Sequence, residues 1–269
     1  MTVTDSLRRH SIWVFFLLSY LFSWVCWIPL SQGSDSGLFA ILGRFGPTFS
    51  ALFLLLLYEG REGVGDIITR LKIWRVGLRW YLFAFFSTAI IVLLSIWISV
   101  LIYGYSPIFN DPRQLYLIIP AFLYVLFLSV LGEEIGWRGY ALPRLQGRYS
   151  ALTSSVIIGV IWSLWHLPLF WMEGDFHSEI PLSLFLIQSV AVSIIYTWMY
   201  NNTGGSLLFS HLFHAASNTT LGVLPVLPVD TGGSLEPLWI TVVFLCILAS
   251  VITYIYGPKD LTKGLPAKL

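Results

Sequence analysis

Apolar residues fill the chain in long runs, each near the roughly 20 residues a helix needs to cross the hydrocarbon core of a bilayer. Eight such runs lie at 11–30, 38–58, 80–103, 115–135, 151–172, 181–200, 205–225 and 236–256. Short polar clusters separate them, among them Gln32-Gly33-Ser34-Asp35, Asn110-Asp111-Pro112, Asn201-Asn202-Thr203-Gly204-Gly205 and the stretch from Pro225 to Gly233. There is no soluble domain, low-complexity tract or internal repeat. The pattern predicts an all-α polytopic transmembrane bundle of about eight helices, forming a single integral membrane domain over 1–269. The first run is long, rich in Trp and without an Ala-x-Ala type cleavage site, so we read it as a retained anchor.

Composition sharpens this reading. Apolar residues make up 57% of the chain and charged residues only 11%, against about 25% charged in a soluble domain. A water-facing surface needs more charge than this, which excludes a soluble globular protein and a disordered one. The net charge of +1 argues against nucleic acid as a partner. The 19 Phe, 13 Tyr and 12 Trp suit a protein with many membrane interfaces. Cys26 and Cys246 both sit in apolar runs and offer neither a disulfide framework nor metal spacing.

Charge placement gives the orientation. Of the 15 basic residues, 13 fall into four sets: Arg8 and Arg9; Arg61, Arg70, Lys72, Arg75 and Arg79; Arg138, Arg144 and Arg148; Lys259, Lys263 and Lys268. Eight spans put all four sets on one side, with Arg44 and Arg113 elsewhere. The positive-inside rule makes that side the cytoplasm, with both termini inside, in a multi-pass protein of the cell membrane. In the loop from Tyr58 to Trp80, Ile67, Ile68, Leu71, Trp74 and Leu78 recur at helical spacing beside Arg70, Lys72, Arg75 and Arg79. That suits either a helix lying on anionic lipid or a plain loop helix.

Three spans carry polar residues that apolar surroundings penalise. The fourth ends in Gly132-Glu133-Glu134-Ile135-Gly136-Trp137-Arg138-Gly139, the fifth holds Trp162-Ser163-Leu164-Trp165-His166, and the seventh holds His211-Leu212-Phe213-His214-Ala215-Ala216-Ser217-Asn218. An ionisable group at membrane depth costs about 2.5–3.5 kcal/mol on insertion scales and usually faces a bundle interior or a wet cavity. Glu134 and Arg138 are spaced i and i+4 and can pair. Glu133 points elsewhere and is the acid left free for chemistry. His214 and Asn218 share a face at i and i+4, with His211 close to it. Singly, each motif also has a structural reading: a solvated boundary, a hydrogen-bonded histidine, or polar glue between helices. Together they mark a site.

Known intramembrane chemistries narrow the choice. The His-Glu-x-x-His zinc-protease helix is absent. Gly204-Gly205-Ser206 is the nearest match to a rhomboid-type serine, but it opens a span and reads as a turn. Gly63-Val64-Gly65-Asp66 spells the Gly-x-Gly-Asp of presenilin-type proteases, yet it lies in a charged loop without a second intramembrane aspartate.

The remaining set is Glu133-Glu134-Ile135-Gly136-Trp137-Arg138, then Trp162-Ser163-Leu164-Trp165-His166, then His214-Ala215-Ala216-Ser217-Asn218. In order and spacing it resembles the CPBP family, which includes type II CAAX prenyl endopeptidases and bacteriocin-processing and abortive-infection-like membrane proteins. The stretch from Trp137 to Pro143 also looks like bacterial members. The match covers about 130–225. Trp162 stands where the family usually has Phe and keeps an aromatic wall. The resemblance implies a metal-independent intramembrane glutamate protease with no cofactor. In it Glu133 and His166 would activate water, and His214 and Asn218 would donate to the oxyanion. Glu134 and Arg138 would shape the site. A membrane-associated peptide or protein, in the eukaryotic relatives with a prenylated C-terminus, would be the substrate. A carboxylate can take a proton from water, and amide and imidazole N–H groups suit an oxyanion.

Other readings stay open: a non-catalytic protein of the same fold, such as an immunity or scaffold component; a proton-coupled transporter with Glu133 and the histidines as relay; and zinc on Glu133, His166 and His214. One tension concerns depth. From a start at Ala151, His166 lies about 22 Å along its helix at 1.5 Å per residue, while Glu133 lies near the inner end of its span. For the two to meet, the fourth helix must run past Glu133 toward Leu142, and the fifth must start later or tilt strongly.

Overall fold

The computed structural model describes residues 11–104 and 116–263. Arg8, Arg9, Asn110, Asp111, Pro112, Arg113 and Lys268, used above for turns and orientation, lie outside the described residues. The architecture is an all-α multi-pass membrane bundle. Helices α1 (Ser11–Ser31), α2 (Gly37–Arg44), α3 (Gly46–Tyr58), α4 (Gly60–Leu71), α5 (Leu78–Tyr103), α6 (Ile118–Leu128) and α7 (Leu142–Gln146) make the first part. They are followed by α8 (Ala151–Trp165), α9 (Leu182–Asn202), α10 (Leu207–Val223), α11 (Pro228–Thr231) and α12 (Glu236–Tyr256). Among the described residues, six helical segments are long and apolar enough to cross a membrane, and two bent pairs raise the number to eight if each is one crossing.

The two bent pairs fall in the second and fourth of the expected apolar runs. Helices α2 and α3 meet at 49°. The cause is Pro47, which lacks an N–H and crowds the carbonyl one turn back. The fourth segment bends by 43°. There α6 gives way to a 3-10 turn (Val130–Gly132), then a π-helix (Ile135–Ala141) that leads into α7. The two breaks pack on each other. A Cβ added at Gly132 would lie 2.4 Å from the Arg44 carbonyl oxygen, and one at Gly136 2.5 Å from Pro47 Cβ. Thr48 Oγ1 donates to Leu131 O at 2.8 Å, meeting a carbonyl freed by the break.

The depth tension resolves through the fourth segment alone. It continues as helix past Glu133 to Gln146, while α8 starts at Ala151 as first read and not later. Trp162, one turn before His166 on α8, reaches Glu133 Oε2 at 2.7 Å, so Glu133 and the end of α8 lie at the same depth. The start of α8 is tied by the chain's far end: Ala151 and Leu152 N–H donate to Lys259 O and Pro258 O at 2.7 and 3.0 Å. Helices α8 and α9 approach so closely at Gly159 that a Cβ there would lie 2.6 Å from Val190 Cα, the small-residue packing expected between membrane helices.

The sequence leaves two readings open for the 58–80 loop, and helix α4 turns one basic residue away from lipid headgroups. Arg70 is buried, donating to Tyr200 Oη at 2.8 Å and Gly139 O at 3.0 Å, with Asp66 at 2.6 Å. The Gly139 carbonyl is open to it because the residue four positions on is Pro143, which has no N–H to give. Asp66, the aspartate of Gly-x-Gly-Asp, is thereby the counter-ion of Arg70. Gly204 and Gly205 both have positive φ, and Ser206 caps α10, as its turn reading expects. Most of the core is one aromatic-rich cluster around Phe15, Trp27, Trp137, Tyr140 and Trp165. A smaller cluster lies around Leu184, Val226 and Leu238.

Candidate active site

The end of α8 builds the centre of the site. Pro168 cannot continue an α-helix, so the chain tightens into a 3-10 turn (Leu167–Trp171). His166 N–H then bonds Ser163 O at 3.2 Å, not the carbonyl four residues back. That leaves Trp162 O, which accepts from His166 Nδ1 at 2.8 Å. A carbonyl only accepts, so Nδ1 carries the proton and Nε2 of the neutral ring keeps a lone pair. Helix α1 satisfies other terminal carbonyls of α8: Tyr20 Oη donates to Ile161 O at 2.6 Å and Trp24 Nε1 to Trp165 O at 2.9 Å.

Trp162 joins the two halves of the site. Its indole N–H donates to Glu133 Oε2 at 2.7 Å, while its carbonyl holds His166. The sequence showed only an aromatic wall here; the side chain is also a donor, which the Phe usual in the resembling family could not be. Trp162 further packs edge-on against His214, at 5.5 Å between centroids.

Glu134 pairs with Arg138 at 2.9 Å as the spacing predicts, and both are fully buried. The same carboxylate oxygen also accepts from His214 Nδ1 at 2.8 Å. Glu134 thus orients His214 from behind, which sequence spacing could not show because the two are 80 residues apart. The Arg138 guanidinium lies 3.9 Å from the Tyr196 ring centroid and 5.0 Å from that of Trp162, a stabilising placement for a desolvated cation.

Glu133, His166, His214 and Asn218 line one cavity of about 310 Å³. Glu134, Arg138 and His211 are not among its lining residues. His211 instead turns its Nδ1 to Leu207 O at 2.6 Å. The cavity also takes in Arg44, Asp175 and His177, which sequence reading missed. Arg44 stood apart from the basic sets, which was a usable signal; Asp175-Phe176-His177 lies between spans and gave none. Among the described residues, no three or more His, Cys, Asp or Glu side chains are grouped to hold a metal ion.

The family model for type II CAAX prenyl endopeptidase Rce1-like proteins matches residues 115–220 of this chain. A curated relative, CAAX prenyl protease 2 of Methanococcus maripaludis, is 29% identical over 234 aligned residues, covering 79% of this chain and 84% of that protein. The matched segment carries all three polar motifs and the side chains placed around Trp162, and over it the chain is similar to Rce1-like, CPBP-type membrane proteins.

Proposed function

We propose that this protein is an intramembrane endopeptidase of the CAAX type that cleaves a membrane-associated, prenylated peptide with a water activated by Glu133 and His166. The observation that carries this reading is the double role of Trp162, which ties Glu133 and His166 to one residue at the cavity wall. In the proposed step, Glu133 takes a proton from water while the bare Nε2 of His166 accepts a hydrogen bond from it and aims the oxygen. The oxygen bonds to the scissile carbonyl carbon, and the carbonyl oxygen becomes an oxyanion. The C–N bond then breaks, and the proton held by Glu133 passes to the leaving amine.

Asn218 and His214 are the proposed oxyanion donors. Glu134 constrains how His214 acts. Its Nδ1–H is committed to Glu134, so Nε2 donates only in the imidazolium form. In that form Glu133, Glu134, Arg138 and His214 sum to zero charge, the arrangement a low-dielectric site tolerates best. We also propose eight crossings, one integral membrane domain and both termini in the cytoplasm. Reporter fusions after Gln32, Asp175 and Asp230 should then all read outside, and a cytoplasmic signal at Asp175 would defeat that orientation.

The decisive experiment is cleavage of a farnesylated peptide by purified protein in lipid or detergent, with and without a strong chelator. Wild-type protein should cleave in both conditions. Glu133→Gln keeps the shape but loses the proton acceptor and should be inactive, and Asn218→Ala should lose roughly 100- to 1000-fold. Full activity of a folded Glu133→Gln variant would overturn the reading.

A further inference from the structure

The proposed chemistry leaves one histidine of the cavity unused. His177 sits in a 3-10 turn (Phe176–Glu179) of the loop between α8 and α9, and it is buried. Its Nδ1 lies 2.6 Å from Asp175 Oδ1, and the same oxygen accepts the His177 backbone N–H at 3.0 Å. Two hydrogen bonds to one carboxylate oxygen fix both the ring and its backbone. The other ring nitrogen, Nε2, is buried and has no hydrogen-bond partner among the described residues.

The His177 ring lies nearly parallel to that of His166, with centroids 5.1 Å apart and planes 26° apart. Phe185 meets both rings edge-on, at 4.9 and 5.2 Å. Trp27 is a second near-parallel neighbour of His166, at 6.2 Å and 23°. His166 itself is held by a single hydrogen bond, from Nδ1 to Trp162 O. One hydrogen bond sets the tautomer, and the orientation is left to the neighbouring rings, with Trp165 edge-on at 4.6 Å and His177 near-parallel at 5.1 Å. A flat neighbour that is itself pinned fixes that orientation.

We propose that Asp175 and His177 form a positioning dyad: Asp175 pins His177, and the His177 ring holds His166 so that its Nε2 faces the cavity beside Glu133. The dyad makes the loop between α8 and α9 a working part of the site. The kinetic consequence rests on the proteolytic reading above; the structural consequence does not. Arg44 lines the same cavity, and its charge acts on Asp175 and His166; Glu133 and His214 line the cavity too, and Glu179 lies in the same turn as His177.

The test uses full-length protein labelled with 13C,15N-histidine. It has only five histidines, so single substitutions assign the imidazole signals by NMR. His177→Ala should move the His166 ring signals, through loss of the stacked ring, and broaden them. His177→Phe, which keeps a flat ring, should restore most of their position. In the peptide assay, His177→Ala should lower kcat roughly 10- to 100-fold, the scale of a small misplacement in a site, with KM nearly unchanged. His177→Phe should recover part of that loss, and Asp175→Ala should fall between wild type and His177→Ala. If His166 signals stay put in His177→Ala, or if folded His177→Ala and His177→Phe both keep wild-type kcat, the dyad is wrong. If wild-type protein cleaves nothing, the proteolytic reading fails while the NMR result still decides the dyad.

Discussion

Helix α5 and the segment from Ile118 to Gln146 are of similar length, and they solve opposite problems. Helix α5 runs unbroken over 26 residues, and only 28% of its apolar window is buried against the rest of the protein. It makes its own backbone hydrogen bonds and presents apolar side chains to lipid, so apolarity alone specifies it. The segment 118–146 passes through α-, 3-10 and π-helical turns and places Glu133, Glu134 and Arg138 inside the bundle. Each irregularity frees backbone groups that other elements must meet, as Thr48 meets Leu131 O and Arg70 meets Gly139 O. A span that brings buried charge into the bundle thus depends on its neighbours atom by atom, whereas a span that only crosses does not. A π-helical turn at such a place fits the frequent occurrence of these turns at functional sites.

Breaking the buried charge cluster should have the largest effect. Glu134→Gln leaves Arg138 without its counter-ion and His214 without its carboxylate, and losing one partner of a buried pair costs about 3–5 kcal/mol. We expect a sharp drop in folded yield and melting temperature. A variant as stable as wild type would mean the cluster is hydrated and not held by pairing.

The next effect lies at the crossing of the two breaks. Gly136→Ala forces backbone and Pro47 apart, and overpacking of this kind costs about 1–3 kcal/mol. Gly222→Ala on α10, where nothing lies within 4 Å of an added Cβ, should be neutral or stabilising by up to about 1 kcal/mol. Thermal unfolding of the pair checks the contrast, and equal melting temperatures would defeat the claimed packing of the breaks.

Trp162→Phe sharpens the comparison without unfolding anything. It keeps a ring against His214 and removes the N–H to Glu133. Hydrogen bonds to charged groups contribute about 1.5–3 kcal/mol, so we expect a loss of roughly 10- to 100-fold in kcat with a small change in melting temperature. Unchanged kcat would show that Glu133 needs no donor from this side.

The smallest effect is at the loop. Burial pushes the Asp175 carboxyl up, but the hydrogen bond and charge of His177, its backbone N–H and the Arg44 charge outweigh this and hold it below the usual carboxylate range. A depressed folded value means that the stabilisation is present above the unfolded pKa of about 3.9 and is lost as pH falls below it. The melting-temperature difference between wild type and Asp175→Ala should therefore be constant near neutral pH and shrink below about pH 4. A difference that persists unchanged into acid would separate Asp175 from any charged role.

Much of the site was legible because insertion into lipid penalises misplaced polarity. Glu133, His166, His214 and Asn218 stood out together as polar groups in apolar runs, and the Glu134 and Arg138 pair followed from helical spacing. His177 and Asp175 escaped because a loop residue carries no such penalty, so its polarity is unremarkable in sequence. The place of Arg70 stayed open for a related reason: a basic residue at the helix edge of a loop looks the same whether it faces lipid headgroups or a backbone carbonyl 69 residues away.

The sequence by itself determined which segments are long and apolar enough to cross, because helical backbone and a bilayer of fixed thickness leave a 20-residue apolar run few alternatives. It also determined which side chains had to be gathered inside. The tertiary structure decided where the spans break, how Gly132 and Gly136 let the breaks touch, and which partner each polar atom takes. Trp162 as donor to Glu133, Glu134 as anchor of His214, and His177 against His166 all arise between residues far apart in the chain. Such contacts depend on ångström-scale approach of separate helices, which hydrophobic periodicity along one helix does not encode.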